Sequence, residues 1–258
     1  MSVAPSMMTA LCSLVQRKGA FISSKVVFEE DSSHAKAGVG VRAAEPIKEG
    51  AVVISIPFRL CISVDSITQS ESLKVIFDDN PGLLDYPDEV LAIGLMFGRR
   101  TEGISSDDCI FGIGGSDALL HAHVKTIPEE SNTPLYWSDD EMTMLRPSNA
   151  FHLSRLMKSQ MNNDWNTLHK PLAINYPELL SHCSYDLYQW ALSAVYSRAV
   201  GITRNGSYTR CIPPVLDMAN HSPDAGCEAA DTFRFDEEKD EVGLVCTSDR
   251  AKDEECLF

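Results

Sequence analysis

The sequence predicts an α+β fold in which a long helical block interrupts one β unit. Three observations carry this expectation. Short strand-like runs cluster between Ser24 and Ile56 and return after Gly206; helical spacing dominates from about Ser63 to Val200; and strand and helix never alternate along the chain. Without a βαβ rhythm there is no basis for a doubly wound parallel sheet. The expected organisation is residues 1–23 as an N-terminal helix or leader and 24–258 as one domain. That domain divides into a β part (24–62), a mainly helical insertion (63–200) and a second, incomplete β part (201–258).

From Met1 to Phe28 there is no acidic residue, while Arg17, Lys18 and Lys25 are basic. Met7, Met8, Leu11, Leu14 and Val15 fall at helical spacing. A transit peptide and a first helix ended by Gly19 both fit this pattern; scarce arginine and direct passage into a strand favour the helix. Ser24–Glu29 and Val39–Ala43 read as strands. Ala51–Ile56 is a third, entered from the turn Lys48-Glu49-Gly50 and ended by Pro57. Pro87-Asp88 opens a helix with Val90, Leu91, Leu95 and Phe97 on its apolar positions. Ser138-Asp139-Asp140-Glu141 is a capping box, in which serine accepts from a backbone N–H three residues on and glutamate reaches back. Pro147 starts a long helix towards Lys170. Ser184 caps another that runs to about Val200. Thr232–Phe235 and Glu241–Cys246 form a hairpin around residues 237–240.

Composition limits the function. With 258 residues, 44% of them hydrophobic, the chain can bury a sizeable core. Its net charge of −15, from 37 acidic and 22 basic residues, argues against a broad basic face for nucleic acid; it would draw a partner with a basic segment, though such acidity mostly serves solubility. The 8 cysteines include no Cys-x-x-Cys pair, which argues against a zinc ribbon and for reduced thiols in a cytosol-like compartment. No apolar run is long enough to span a bilayer. A cytoplasmic monomer is expected, with the nucleus, or a plastid if the N-terminus is a transit peptide, as alternatives.

Three features point to chemistry. Asp217-Met218-Ala219-Asn220-His221-Ser222 follows the apolar, proline-closed run Cys211–Leu216. Polar groups buried there need partners, so the segment either holds a local hydrogen-bond network or binds something polar. In the helix after Ser184, Leu187, Trp190, Ala191, Ala194 and Val195 mark one face, and Arg198 is the next member of that series. An arginine there snorkels, pairs with a carboxylate such as Asp217, or holds an anionic ligand. The third feature, Gly38-x-Gly40-x-x-Ala43, matches a relaxed dinucleotide fingerprint. It follows the polar stretch Asp31–Lys36 rather than an apolar strand, and Glu45-Pro46 interrupts any helix behind it. A turn into a strand, or a close approach of backbone to a ligand, is the remaining reading. Asp217 and His221, four residues apart, would need at least one further ligand to hold a metal, and no second motif supplies it.

Together these stretches resemble the SET-domain methyltransferases, in the branch of Rubisco large-subunit lysine methyltransferase and actin-histidine methyltransferase. Four stretches carry the resemblance in order. They are Gly38-Val39-Gly40-Val41-Arg42-Ala43 with Ile47–Gly50 and Val53–Pro57; Thr133–Ser138; Tyr188–Ala191 through Ser197-Arg198; and Ile212-Pro213-Pro214 through Ser222. The resemblance implies small sheets of short strands around a helical insertion, with a pseudoknotted core. It also implies S-adenosyl-L-methionine as cofactor and a lysine side chain of a protein as acceptor. Ala37, Gly38 and Val39 match the loop whose backbone approaches the cofactor. Arg198 matches the arginine that holds its carboxylate. Asp217, Met218, Ala219, Asn220 and His221 match the segment that lines it. Methyl transfer is an in-line displacement in which alignment supplies most of the rate, and the acceptor amine must be neutral to attack.

The chain departs from the family in two places. Arg250–Phe258 matches the turn before the family's final tyrosine strand, with Asp253 where glycine is usual, and the expected catalytic tyrosine lies beyond Phe258. His121 and His123 stand at positions that are aromatic or proline in the family. The alternative expectation is therefore a truncated, catalytically inactive SET-like protein that binds a cofactor or partner.

Overall fold

A computed structural model describes residues 5–30, 39–99, 117–129, 133–220 and 233–256. Helix α1 (Pro5–Arg17) buries Met8, Leu11, Leu14 and Val15, the face that the apolar spacing predicts. The first β part comprises β1 (Phe21–Ile22), β2 (Val26–Glu30), β3 (Val39–Ala43) and β4 (Val52–Pro57). After β5 (Ile62–Ser63) come α2 (Val64–Thr68), α3 (Lys74–Asp79), α4 (Pro87–Gly98), α5 (Asp117–Val124), α6 (Asp139–Thr143) and α7 (Asn149–Asp164). A π-helical turn, Trp165–His169, leads to α8 (Lys170–Asn175), α9 (Pro177–Leu180) and α10 (Tyr185–Arg198). The chain returns to β6 (Val200–Arg204), β7 (Ser207–Ile212), β8 (Phe233–Asp236) and β9 (Glu241–Val245).

The strands form three antiparallel groups, ordered β1-β4-β9-β8, β2-β3 and β5-β7-β6. Two of them join residues far apart in sequence: β4 lies against β9, and β5 against β7. The helical block is thereby an excursion from one β unit. Beyond the named strands, Ala43 N donates to Glu254 O at 2.9 Å, Asp253 N to Ala43 O at 2.7 Å and Cys256 N to Val41 O at 2.7 Å. The last described residues therefore run along β3 on the edge that β2 leaves open.

Two apolar cores follow from this split. The helical core gathers almost all of α4 together with Tyr188, Trp190, Ala191, Leu192 and Val195 of α10. The β core gathers α1, the centres of β3, β4 and β9, and Val215, Leu216, Met218 and Ala219. Ser138 caps α6 through the predicted box, and Ser184 caps α10 by accepting from Leu187 N at 3.2 Å. Helix α10 is more deeply embedded than its apolar stripe predicts, because Tyr188, Leu192 and Ser193 are buried as well. One hairpin escapes the apolar pattern. The β6–β7 turn is Asn205-Gly206, with φ of 52° and 73°, a two-residue connection that needs left-handed backbone at both positions.

Candidate functional site

Arg198 is the last residue of α10, so its side chain leaves the helical core at the edge of the β core. There it meets the short 3₁₀ turn Leu216–Met218. The preceding residue, Val215, has φ 71° and ψ −44° and is fully buried. A β-branched residue in that region is strained, and strain of this kind persists only where the surroundings impose it. Backbone bonds from Asp217 N to Pro213 O (3.1 Å) and Ala219 N to Leu216 O (3.0 Å) hold the turn closed. The segment thus enters the core with Met218 and Ala219 packed among apolar groups and Asp217 aimed at Arg198.

Arg198 Nη1 donates to Asp217 Oδ2 at 3.1 Å and to Asp217 O at 3.1 Å, with Met218 Sδ at 3.8 Å. The Asp217 side chain is 0% exposed and that of Arg198 is 18% exposed. His123, on α5, brings Nε2 to 3.2 Å from the same Oδ2, and its side chain is also 0% exposed. Burial by itself would raise the Asp217 carboxyl. The neighbouring His123 and Arg198 outweigh it and hold the group below the usual carboxylate range. Asp217 is therefore an ionised carboxylate in the interior, the costly arrangement that persists only with partners of this kind.

Asn220 lies at the exit of the segment, half-buried. Its Nδ2 donates to Glu255 Oε1 at 2.6 Å, a short charge-assisted bond. Gly40, buried in β3, lies directly beneath this pair. A Cβ there would come within 2.5 Å of Glu255 Oε1 and 3.1 Å of Asn220 Nδ2. Glycine at this position is what lets the 220 and 255 side chains settle onto the strand. Val39, next to it, is half-buried at the start of β3. The glycine-rich stretch thus enters a strand, not the helix that a dinucleotide fingerprint requires.

Of the residues the sequence singles out, the structure brings Arg198, Asp217 and Met218 into contact and sets Asn220 against Gly40 of β3. Ala219 is buried between these groups in sequence. Ala37, Gly38 and His221 lie outside the described residues. The sequence reading assigns no site role to two residues that the structure adds. His123 reaches Asp217 from the helical insertion, and Glu255 reaches Asn220 from the last strand. A histidine inside the apolar run Leu119–Val124 was the available signal for the first; for Glu255 there was none, because the contact spans 35 residues. His121, by contrast, bonds Gly98 O through Nδ1 at 3.0 Å and packs on Phe97, a role in the helical core. Among the described residues, no three His, Cys, Asp or Glu side chains converge as a metal site would require.

A glycine-bearing strand, a helix-end arginine and a buried Asp-to-Asn turn thus make up the candidate site. The chain belongs to the SET-domain family, whose model matches residues 38–258. It is 27% identical over 202 residues to the actin-histidine N-methyltransferase of Gallus gallus, covering 76% of this chain and 30% of that protein. To the chloroplastic ribulose-1,5-bisphosphate carboxylase/oxygenase large subunit N-methyltransferase of Pisum sativum it is 25% identical over 186 residues, covering 72% and 34%. The fold superposes on the SET domain of LSMT bound to lysine and AdoHcy with a TM-score of 0.75 at 19% identity, over 98% of this chain and 53% of that one. The chain thus spans about a third of the length of these curated relatives.

Proposed function

We propose that this chain carries the methyl-transfer domain of a protein methyltransferase that uses S-adenosyl-L-methionine, with lysine as the acceptor. The observation that carries the reading is the Arg198 guanidinium. It is anchored on Asp217 by Nη1 alone, and among the described residues Nε and Nη2 keep their donors uncommitted. A partly exposed guanidinium with donors to spare, beside a strand stripped of side chain at Gly40, fits a ligand that bears a carboxylate. When bound, S-adenosyl-L-methionine supplies a methyl group already activated on a positive sulfonium. Arg198 would hold its carboxylate. Ala37, Gly38 and Val39 would let backbone approach it, and Asp217, Met218, Ala219, Asn220 and His221 would line it. The buried Val215, Leu216 and Met218 keep water from the floor of the site. The Asn220 amide, held by Glu255, is a fixed donor at its edge.

Lysine as acceptor is supported by the fold shared with the lysine-bound SET domain; the actin-histidine relatives make histidine the competing outcome. The net charge of −15 supports a protein substrate with a basic segment around the acceptor. We place the protein in the cytoplasm on its scattered cysteines. Titration calorimetry with S-adenosylhomocysteine tests the cofactor site: binding should be present in the wild type and weakened in Arg198→Ala and Asn220→Ala. No binding, or binding unchanged in both variants, would sink the assignment. Methyl labelling of a cell lysate, with mass spectrometry of the labelled side chains, decides between lysine and histidine.

A further inference from the structure

A buried histidine on an apolar helix face is usually a packed core residue whose nitrogens find nearby backbone. His121 behaves in that way, with Nδ1 on Gly98 O and its ring against Phe97. His123, two residues on, does not. Its ring is fully buried, neither ring nitrogen makes a hydrogen bond among the described residues, and Nε2 lies 3.2 Å from Asp217 Oδ2 as an ion-pair contact. A carboxylate only accepts, so this contact is attractive when Nε2 carries its hydrogen. Oδ2 is also the atom that receives Arg198 Nη1 at 3.1 Å, while Oδ1 is buried with no hydrogen-bond partner among the described residues. One oxygen therefore accepts from the guanidinium at the end of α10 and lies against the imidazole of α5, two groups from different elements.

That sharing has a mechanical consequence. The direction of Oδ2 sets the plane of the guanidinium, and with it the direction in which Nε and Nη2 can donate. Asp217 χ1 and χ2 have little else to fix them on the polar side. We propose that His123 is a positioning residue for cofactor binding: from the helical insertion it fixes the Asp217 carboxylate, which in turn aims Arg198 at the ligand's carboxylate. The proposal rests on the cofactor reading above and adds to it a residue of the insertion that does not touch the ligand.

The test is calorimetry with S-adenosylhomocysteine on the wild-type chain, His123→Leu and His123→Gln, with thermal unfolding of each unliganded protein alongside. Glutamine places an amide donor close to the position of Nε2; leucine fills the space without one. His123→Leu should bind about tenfold more weakly, a loss of about 1.4 kcal/mol, and His123→Gln should recover most of that. Introduced into Arg198→Ala, His123→Leu should weaken binding no further, because the arginine it aims is gone. If His123→Leu does not fold, His123→Phe fills the ring volume in the same comparison. Wild-type affinity in a folded His123→Leu or His123→Phe variant would overturn the proposal, and so would an undiminished loss in the Arg198→Ala background. No binding by the wild type would overturn the cofactor reading itself, and this inference with it.

Discussion

Replacing Asp217 by asparagine isolates the charge at the centre of the site while keeping its volume. In the wild type the carboxylate is fully buried between Arg198 and His123. Removing one partner of a buried pair costs about 3–5 kcal/mol, because the other charge is left uncompensated. Arg198 keeps 18% of its side chain in contact with solvent and can recover part of its hydration. The asparagine Oδ1 can still accept one hydrogen bond. Both effects reduce the expected loss to about 2–3 kcal/mol at pH 7. With a urea slope of about 3 kcal/mol/M, at the upper end for a chain of this size, the midpoint should fall by about 1 M. The charge origin gives the loss a signature in pH. The folded-state pKa of Asp217 is depressed below its unfolded value of about 3.9, so the pair's contribution is fully present above that unfolded value. It is lost as pH falls further, through the folded-state pKa. Urea unfolding of wild type and Asp217→Asn at pH 7 and at successively lower pH should therefore give two curves that converge below about pH 4. A difference under about 0.5 kcal/mol at pH 7, or one that stays constant as the acid limb is crossed, would refute the ionised-pair account.

Two further substitutions test the strand side of the site. Gly40→Ala should displace the Glu255 carboxylate, which lies 2.5 Å from the new Cβ, and cost about 1–2 kcal/mol in urea unfolding by breaking its bond to Asn220. The same change made in a Glu255→Ala background should cost clearly less, and equal costs would contradict the close-approach argument. Asp253 sits at φ 67°, so Asp253→Val should destabilise by about 1–2 kcal/mol while Asp253→Gly is neutral or stabilising. Equal unfolding midpoints for the two variants would show that no strain is stored there.

What could be read from the sequence follows the range of the interaction concerned. The N-terminal face of α1, the two serine caps of α6 and α10, and strand β3 depend on neighbours within a few residues, and each lies where its local pattern places it. The Asn205-Gly206 hairpin is equally local, but the helical series up to Arg198 runs almost directly into it and hides its signal. The positive φ at Asp253 supplies the physical reason why glycine is usual there, something the resemblance alone states without explaining. For Arg198 the sequence leaves three roles open, and pairing with Asp217 is one of them. The structure narrows them by showing that Asp217 and an anionic ligand need not compete, since the aspartate occupies Nη1 only.

Apart from the Arg198–Asp217 pair, the long-range polar contacts of the site are not written in any local pattern. His123 meets Asp217 across 94 positions of sequence numbering, Asn220 meets Glu255, and Gly40 matters only through both of the latter. Each is a polar contact between elements whose apolar periodicity says nothing about their mutual orientation. Among the described residues, the buried Asp217 carboxylate lies where the two apolar cores meet. The β part supplies the carboxylate on a strained turn, and helices of the insertion supply the Arg198 guanidinium that bonds it and the His123 ring that lies against it. Asp217 Oδ2 thus joins α5 and α10 of the insertion to the 3₁₀ turn of the β part. A change that loosens the insertion at α5 should therefore be felt at the guanidinium before it is felt in the sheets.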